Sequence, residues 1–493
     1  MNTNIRIRIR YAGVFMFICL AACLIFSTRA MATMPPIEFH GYLESNFIAR
    51  DTNGFQYGFM DKVEGVQQRN TLKFDLDIMP NEPIGGPFTL SKIHLTYRGA
   101  YDSIFDLRHD AYKDIRKNSP SRYDLGKDDI HFENDLREAS LDITFDDEAG
   151  YGFIRPGRQI VSWGETIGFN LLDQFNPSDN SFQMAFTNPD DLKIPLGMVR
   201  ANYSLPAGET FAFSVDGFFI FEEQPNRLAP LDLSMDAPYA FLFRGLKGLK
   251  IREDVPDEKE YGIKLTSEIG GSTSVSLVYF HGAANAPVMV FKDLVGMTPT
   301  SLDLVHPITD IYGGFFSSYV QPLDIVLKGE FAWSTNEAVT LNMPDLDMST
   351  GSPRLKAFRE KPKASLMLGL DKKIWMRWLT DTSMVNLGFQ WIHHQIQDWD
   401  AAFETAALEN TDLFTFNGSL QAGDNGWINP DFFLAYDMEG TLMTVATVKL
   451  DINKSWYVKL SQMSFWGDKE AISDFNGTLI STNEIAFKIG YQW

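Results

Sequence analysis

The sequence predicts an all-β protein, a transmembrane antiparallel β-barrel of about 16 strands, within a range of about 14 to 18. Three observations lead to this fold class. Apolar and polar residues alternate with a period of two along most of the chain, and the polar face of several alternating runs carries charges. The chain also ends on a strand-like run, NEIAFKIGYQW, with no polar tail behind it.

The alternation begins in the run IEFHGYLESNFIA, where Ile37 and Phe39 lie on one face and Glu38 and His40 on the other. Successive side chains of a strand point to opposite faces, so each such run predicts one strand. The same pattern recurs in NTLKFDLDIM, KIHLTYRGAY, REASLDITF, GFIRPGRQIVSW, MVRANYSL, TFAFSVDGFFIF, YGIKLTSEIG, STSVSLVYF, DIYGGFFSSYV, LDIVLKGEFAW, ASLMLGLDKK, SMVNLGFQWIHH, TLMTVATVKLD, WYVKLSQMSF and the terminal run.

Alternating strands fit either a soluble sandwich or a barrel in a membrane, and three features favour the membrane. Many runs reach about ten residues, which is enough to cross a bilayer obliquely. A soluble chain of 493 residues would divide into several cores, yet no linker interrupts this sequence. Lys73, Asp75 and Asp77 follow one another on one strand face, which suits a water-filled lumen and not a sandwich core.

The terminal run predicts how the barrel closes. A barrel in lipid leaves no free strand edge, so the last strand must pair with the first. Phe487, Tyr491 and Trp493 share the apolar face of this run. We expect these three residues to form the signal that the barrel assembly machinery reads.

The first residues predict a targeting segment, so the chain divides into a signal peptide, 1–32, and an outer-membrane β-barrel, 33–493. A basic start is followed by the apolar stretch YAGVFMFICLAACLIF and by the small-x-small pattern Ala30-Met31-Ala32, which predicts cleavage after Ala32. An alternative is that LAAC is a lipoprotein box that carries lipid on Cys23. The predicted location is the cell outer membrane, in contact with lipid and lipopolysaccharide.

The connections predict a barrel with two different ends. Tight connections such as DDEAG, PAGE and IGGS alternate with long ones. Short turns of such barrels face the periplasm, and long loops face the outside. The predicted long loops are 102–135, 166–197, 287–310, 341–361 and 397–437.

One block carries a family resemblance. It contains GRQIVSWGE, then NPSD, then a proline shortly before MVRANY. These elements resemble a proteobacterial outer-membrane family of unknown function, whose members carry a glycine-arginine-glutamine strand, a tryptophan-glycine-glutamate turn and an asparagine-proline loop. LDIVLKGEFAW and LMLGLDK resemble later strands of that family. The resemblance implies a porin-like barrel in the outer membrane and little about its substrate.

The same block supplies candidate pore residues, namely Arg158, Gln159, Trp163 and Glu165. Arg158 and Glu165 either line the pore and anchor an infolded loop, or form an ion pair that only fixes the loop geometry. The charged strand faces add further candidates for the lumen: Lys73, Asp75, Asp77, Arg98, Lys328 and Glu330. Acids outnumber bases on the face assigned to the lumen, which predicts a weak preference for cations.

Several other classes of function are excluded or disfavoured. A formal net charge of −21 opposes nucleic-acid binding, which needs clustered lysine and arginine. The sequence has no G-x-S-x-G motif, so we expect no enzyme. His393 and His394 are adjacent on a predicted strand and point to opposite faces, so we expect no metal site and no cofactor.

These observations leave three hypotheses about function. The first is a porin-like channel that passes small molecules, and a hydrophobic solute is included because the loop 169–186 is rich in aromatic residues. The second is a barrel plugged by its loops that serves as a structural element or as a partner of export machinery. The third and most remote is an outer-membrane enzyme.

Overall fold

A computed structural model gives the structure of the protein. It describes residues 35–51, 63–107, 116–117, 120–181, 189–206, 208, 211–228, 249–296, 298–378, 380, 383–403, 407–467 and 483–493. The predicted signal peptide, with Cys23, lies outside the described residues.

Strands dominate the described part of the chain. They are β1 (Ile37–Asp51), β2 (Val63–Ile78), β3 (Glu82–Gly85), β4 (Phe88–Asp102), β5 (Phe132–Asp147), β6 (Gly150–Gln159), β7 (Leu196–Ser204), β8 (Phe211–Ile220), β9 (Lys250–Asp254), β10 (Glu260–Ile269), β11 (Thr273–Ala283), β12 (Val288–Lys292), β13 (Ser301–Val305), β14 (Ile308–Val320), β15 (Ile325–Asp347), β16 (Arg354–Ile374), β17 (Val385–Ile396), β18 (Asn410–Ser419), β19 (Ile428–Asp437), β20 (Thr441–Asp451), β21 (Trp456–Gly467) and β22 (Glu484–Gln492). The described helices are Ile104–Leu107, Pro120–Ile130, Pro189–Leu192 and the 3-10 turn Asp424–Gly426. Within the described residues, no helix is both long enough and apolar enough to cross a bilayer.

Eighteen of these strands form a closed antiparallel ring, which confirms the predicted barrel at the upper end of the predicted strand number. The ring closes because β1 pairs with β2 on one side and with β22 on the other. β3 pairs with the start of β4 in a short hairpin. β9, β12 and β13 form a small sheet outside the ring, and β12 connects this sheet to β16.

The ring contains two strands more than the sixteen alternating runs, and both lie in the predicted loop 397–437. That prediction was wrong, because β18 pairs with β17 and with β19 along most of its length. The sequence signal is weak here because β18 begins on Asn410 and Thr411, and β19 has Asn429 and Pro430 near its start. Pairing with neighbours in the ring overrides these local preferences.

The predicted loop 341–361 is also largely strand. β15 runs to Asp347 and β16 begins at Arg354, so the two form a long hairpin closed by 348–353. These strands have 23 and 21 residues, against 9 to 16 for the other strands of the ring, so the hairpin projects beyond it.

The two faces of the barrel differ as the alternation predicts. On β22, the side chain of Phe487 is 48% exposed on the outside, and the next residue, Lys488, points inward to Glu44. The outer face carries a belt of exposed apolar side chains, which includes Phe39, Leu43, Phe47, Phe213, Val215, Phe219, Leu265, Leu277, Phe331, Leu368, Leu460, Ile485 and Ile489.

The two ends of the barrel differ in the length of their connections. We call the end that holds Trp493 the turn end, because it carries the short connections 148–149, 270–272, 321–324 and 452–455. The other end, called the loop end, carries the long connections 103–131, 160–195, 221–259 and 284–307, although 438–440 is short.

The seam between the first and last strands is held at both ends of the barrel. At the turn end, the ring of Trp493 stacks on Phe39 with centroids 5.9 Å apart, and its backbone N–H donates to Gly41 O at 3.2 Å. At the loop end, the guanidinium of Arg50 donates to the Glu484 carboxylate at 2.8 Å, and both side chains are fully buried. The terminal strand is thus fixed along its whole length.

Candidate pore site

The connection after β6 does not stay outside the ring. Residues 160–181, which we call the crossing segment, fold into the lumen and bury their apolar side chains. Val161, Trp163, Leu171, Leu172 and Phe175 are at most 2% exposed. They belong to one cluster with apolar side chains of the barrel wall, which include Met198, Phe218, Phe280, Ile311, Met367, Ile392, Leu413 and Ala435. The lumen at this level is therefore packed like a protein core.

Glu330 on β15 is the main anchor of the crossing segment. Its buried carboxylate accepts the backbone N–H groups of Glu165 at 2.7 Å, Thr166 at 3.0 Å and Leu172 at 2.9 Å. It also accepts the Thr166 hydroxyl at 2.9 Å. Hydrogen bonds to a charged acceptor contribute about 1.5–3 kcal/mol each, so this carboxylate holds the loop firmly.

The tip of the crossing segment reaches the far wall of the barrel. The backbone N–H of Ile167 donates to Gln390 Oε1 on β17 at 3.2 Å. A Cβ built at Gly168 would lie 3.0 Å from the ring of Phe433 on β19. Around the ring of 18 strands, β6 is the fifth from β1, whereas β17 and β19 are the thirteenth and fifteenth. These strands are on opposite sides, so the segment crosses the whole lumen.

The chain that returns from the crossing segment is fixed to the wall near β1. Asp191 accepts the Tyr42 hydroxyl at 2.6 Å and the Lys73 ammonium at 3.2 Å. Arg98 donates to the backbone carbonyl of Asp191 at 3.0 Å and to Glu133 at 2.6 Å. Two predicted lumen residues, Lys73 and Arg98, thus meet at one buried carboxylate.

The surroundings of Asp191 and of Asp179 favour the charged form of each carboxyl group. Burial raises the pKa of the Asp191 carboxyl, but Lys73, the Tyr42 hydroxyl and Arg98 lower it more, so the pKa lies below its ordinary 3.8. Burial also raises the pKa of Asp179, and Arg227 with other donors again brings it below 3.8. Both acids therefore stay ionised at neutral pH.

Two lysines of the barrel wall contact the first part of the crossing segment. Lys328 lies 2.7 Å from Asp371 and 3.6 Å from Glu165. Burial raises the pKa of Glu165, and Lys328 opposes this shift only in part. The ring of Trp163 packs on Phe175 at 4.8 Å between centroids, and the Lys264 ammonium lies 5.3 Å from its centre.

The structure does not bring Arg158 and Glu165 into one ion pair. Arg158 donates to Leu136 O at 2.9 Å and to Pro195 O at 3.0 Å, and it lies 3.1 Å from Asp135. Its cross-strand partner is Gly197, between the inward residues Leu196 and Met198, so Arg158 is on the outward parity of β6. These contacts are those of an arginine that fixes the ends of the loop.

The remaining predicted residues lie closer to the wall. Gln159 donates to Arg155 O at 2.8 Å, while Asp75 accepts the Thr96 hydroxyl at 2.5 Å and Asp77 lies 2.8 Å from Lys92. Sequence reasoning missed Gln390 and Tyr42 as anchors, since a single polar residue on an alternating run carries no distinguishing signal. It missed Asp191 as well, because the pair Asp190-Asp191 in a predicted loop is typical of a solvated turn. It also left Arg155 and Arg200 out of the lumen, where they pair with Asp142 and Asp216. The weak preference for cations stays a prediction.

The two neighbouring histidines have separate partners. His393 lies 3.0 Å from Asp412, and His394 contacts the Ser365 hydroxyl at 2.7 Å. Among the residues that the structure describes, no group of three or more His, Cys, Asp or Glu side chains could hold a metal ion.

A cavity of about 810 Å³ occupies the lumen on the turn-end side of the crossing segment. We call it the turn-end cavity. Its walls come from β1, β2 and β19 to β22, and its lining includes His40, Tyr42, Glu44, Asp75, Asp431, Lys449, Lys454, Tyr457, Lys459, Lys488 and Trp493. The lumen is thus divided into a packed level and an open chamber.

Comparison with protein families places this barrel in a known group. Residues 49–493 match a family described as protein of unknown function, DUF1302. The chain belongs to this family. The family match agrees with the resemblance noted in the GRQIVSWGE block, although it says nothing about that motif itself. None of the curated proteins matches this chain.

Several solved structures have a similar chain course at low sequence identity. Acinetobacter baumannii OccAB4 has a TM-score of 0.47 at 8% identity, with 94% of this chain and 100% of that chain covered. Salmonella typhi OmpF, in a complex with daunomycin, has a TM-score of 0.39 at 10% identity, with 93% and 98% covered. An anion-selective porin from Comamonas acidovorans has a TM-score of 0.36 at 11% identity, with 93% and 99% covered.

Proposed function

We propose that this DUF1302 protein is an outer-membrane channel for small solutes, in which the crossing segment controls passage through the lumen. The observation that carries the proposal is the contact of Ile167 with Gln390 on the opposite wall. A segment that spans the lumen in this way decides what moves through it. The belt of exposed apolar side chains supports a location in a membrane, and the predicted signal peptide supports export to the outer one.

The division of the lumen suggests how passage is controlled. The turn-end cavity is large enough for a small molecule, whereas the level of the crossing segment is packed. A solute must therefore displace the segment or follow its edge. The charged group around Lys328 would meet such a solute, and movement of the segment would expose the aromatic group around Trp163. A hydrophobic solute is consequently part of the proposal.

The second candidate function is a plugged barrel that acts as a structural element or as a partner of export machinery. The packing of the crossing segment favours it, since Val161 and Leu172 are 0% exposed. A segment that never leaves this position would close the barrel permanently. The two candidates differ in whether the segment moves, and this can be measured.

The experiment compares the wild type with a variant in which residues 164–174 are replaced by a short Gly-Ser linker. Both proteins are refolded, checked for heat-modifiable migration, and inserted into planar bilayers. We expect small step conductances from the wild type and larger steps from the variant. Large steps from the variant alone would favour the plugged barrel. Equal conductance of the two proteins would contradict control by the crossing segment.

A further inference from the structure

Three lysines form a row across neighbouring strands inside the barrel. Lys449 on β20 is the direct cross-strand partner of Lys459 on β21, and Lys459 is the partner of Lys488 on β22. Adjacent strands are about 4.8 Å apart, so the backbone positions of the three lysines lie within about 10 Å along the wall. Like charges directly opposite each other destabilise a sheet. The row therefore needs negative charge nearby.

The protein supplies that charge at the two ends of the row. Lys449 lies 2.9 Å from Asp451, and Lys488 lies 2.9 Å from Glu44. The central residue, Lys459, has no carboxylate within 4.0 Å in the part of the chain that the structure describes. Asp431 and Glu44 act on it only from a longer distance. One positive charge in the middle of the row is left without a close partner.

The row lies on the wall of the turn-end cavity, so a solute can reach it. All three lysines line this cavity, together with Lys454 and the phenol side chains of Tyr42 and Tyr457. The Lys449 ammonium is 4.6 Å from the centre of the Tyr457 ring, which helps to hold it in place. The lining thus offers ammonium groups and aromatic faces around about 810 Å³ of space, while its carboxylates are Glu44, Asp75 and Asp431. The two phenol hydroxyls already donate to carboxylates, that of Tyr42 to Asp191 and that of Tyr457 to Glu44.

We propose that the turn-end cavity binds the carboxylate or phosphate group of a small organic anion, with Lys459 as its central contact. An anion at this position would give Lys459 the negative partner that Lys449 and Lys488 already have. It would thereby reduce the repulsion between neighbouring lysines. Lys449 and Lys488 are the cross-strand neighbours of Lys459 on either side and add positive charge to the same wall. The binding site stands on its own, while its role as a solute site rests on the proposed channel.

Binding is measured by isothermal titration calorimetry on the folded, full barrel in a neutral detergent at low salt. Inorganic phosphate and succinate are used as separate probes, so that phosphate and carboxylate binding are distinguished. We expect saturable binding of at least one probe to the wild type. Lys459→Gln should weaken it about tenfold or more, because a charge-assisted contact is lost. Lys373→Gln is the matched control, because Lys373 lies on the inward parity near the turn end of β16, away from the row.

Two results would overturn the proposal. One is the absence of saturable binding of either probe to the wild type, even if the barrel conducts ions. The other is equal affinity of the wild type and the Lys459→Gln variant. Should that variant fail to fold, Lys449→Gln removes another member of the row and decides the same question. Binding that depends on Lys459 in a barrel without conductance would support this site and refute the proposed channel.

Discussion

The carboxylate of Glu330 accepts the backbone N–H of Leu172 at 2.9 Å, across 158 residues of sequence. The same carboxylate holds the backbone of Glu165 and Thr166. It therefore binds main-chain groups of the crossing segment at two places. Among the described residues, Glu330 is the charged residue of the wall that makes the most hydrogen bonds to this segment, in addition to the apolar packing and the contact with Gln390.

A substitution of Gly164 tests how closely the crossing segment must approach Glu330. Its φ is +122°, and an added Cβ would lie 2.8 Å from a Glu330 carboxylate oxygen. Gly164→Ala should therefore strain the backbone and push the segment from its anchor. We expect faster trypsin cleavage after Lys193, together with larger conductance steps.

Gly440→Ala is the matched control for that substitution. Gly440 has a φ of +105°, but an added Cβ would meet no atom within 4 Å. It should reproduce the backbone strain without the effect on cleavage or conductance. Equal behaviour of the two variants would show that contact with Glu330 is not what Gly164 provides.

The seam between β1 and β22 depends on a buried ion pair. Arg50 and Glu484 are 1% and 0% exposed, so removal of one partner breaks a buried ion pair. Arg50→Met should lower the free energy of unfolding by about 3–5 kcal/mol, as measured by denaturant titration in lipid vesicles. The double variant Arg50→Met/Glu484→Gln should recover much of that loss. A double variant as unstable as the single one would contradict this account.

The outer face of the terminal strand should be required for assembly. Phe487 is 48% exposed on that face, and an acidic residue there meets lipid. Phe487→Asp should therefore impair membrane insertion, because a charged side chain on the lipid face of a barrel is destabilising. Deletion of Trp493, which removes its stacking on Phe39, should also impair closure. Heat-modifiable migration in outer-membrane fractions, with Phe487→Leu as control, measures both effects.

Acid should loosen the anchor at Asp191. Because the pKa of Asp191 is lowered by folding, its charge stabilises the docked loop above the ordinary pKa of 3.8. That contribution is lost as the pH falls through the lower pKa of the folded state. Hydrogen exchange of 189–194, corrected for intrinsic rates, should therefore accelerate below about pH 4. Asp191→Asn should show fast exchange already at pH 7, whereas Asp146→Asn, which changes an exposed residue near the end of β5, should match the wild type.

Much of the fold follows from local sequence, and the exceptions have physical causes. Sixteen strands could be read from the alternation because each has one face in water and one in an apolar environment. β18 and β19 could not, because Asn429-Pro430 and the polar start at Asn410 resemble a loop. Their strand form comes from hydrogen bonds to neighbours that the closed ring brings alongside.

The candidate site was predictable only in part. Glu330 and Lys328 were expected inside the barrel because they lie on a charged strand face, and Trp163 was a candidate because it belongs to the GRQIVSWGE block. The partnership of Glu330 with the crossing segment depends on the diameter of the closed ring, which local sequence does not encode. The same reason explains why Gln390 and Asp191 gave no signal, since their partners are distant in sequence and meet only after closure.

The most direct test of control by the crossing segment is the single-channel conductance of Glu330→Gln against Glu268→Gln. Both variants neutralise one carboxylate on the inward parity, but Glu268 is exposed near the turn end and away from the segment. Loss of about 1.5 kcal/mol of anchoring would shift a two-state equilibrium about tenfold towards the released form. We predict that Glu330→Gln conducts in larger or longer openings, and that Glu268→Gln behaves as the wild type. Identical traces from Glu330→Gln and the wild type would contradict the account.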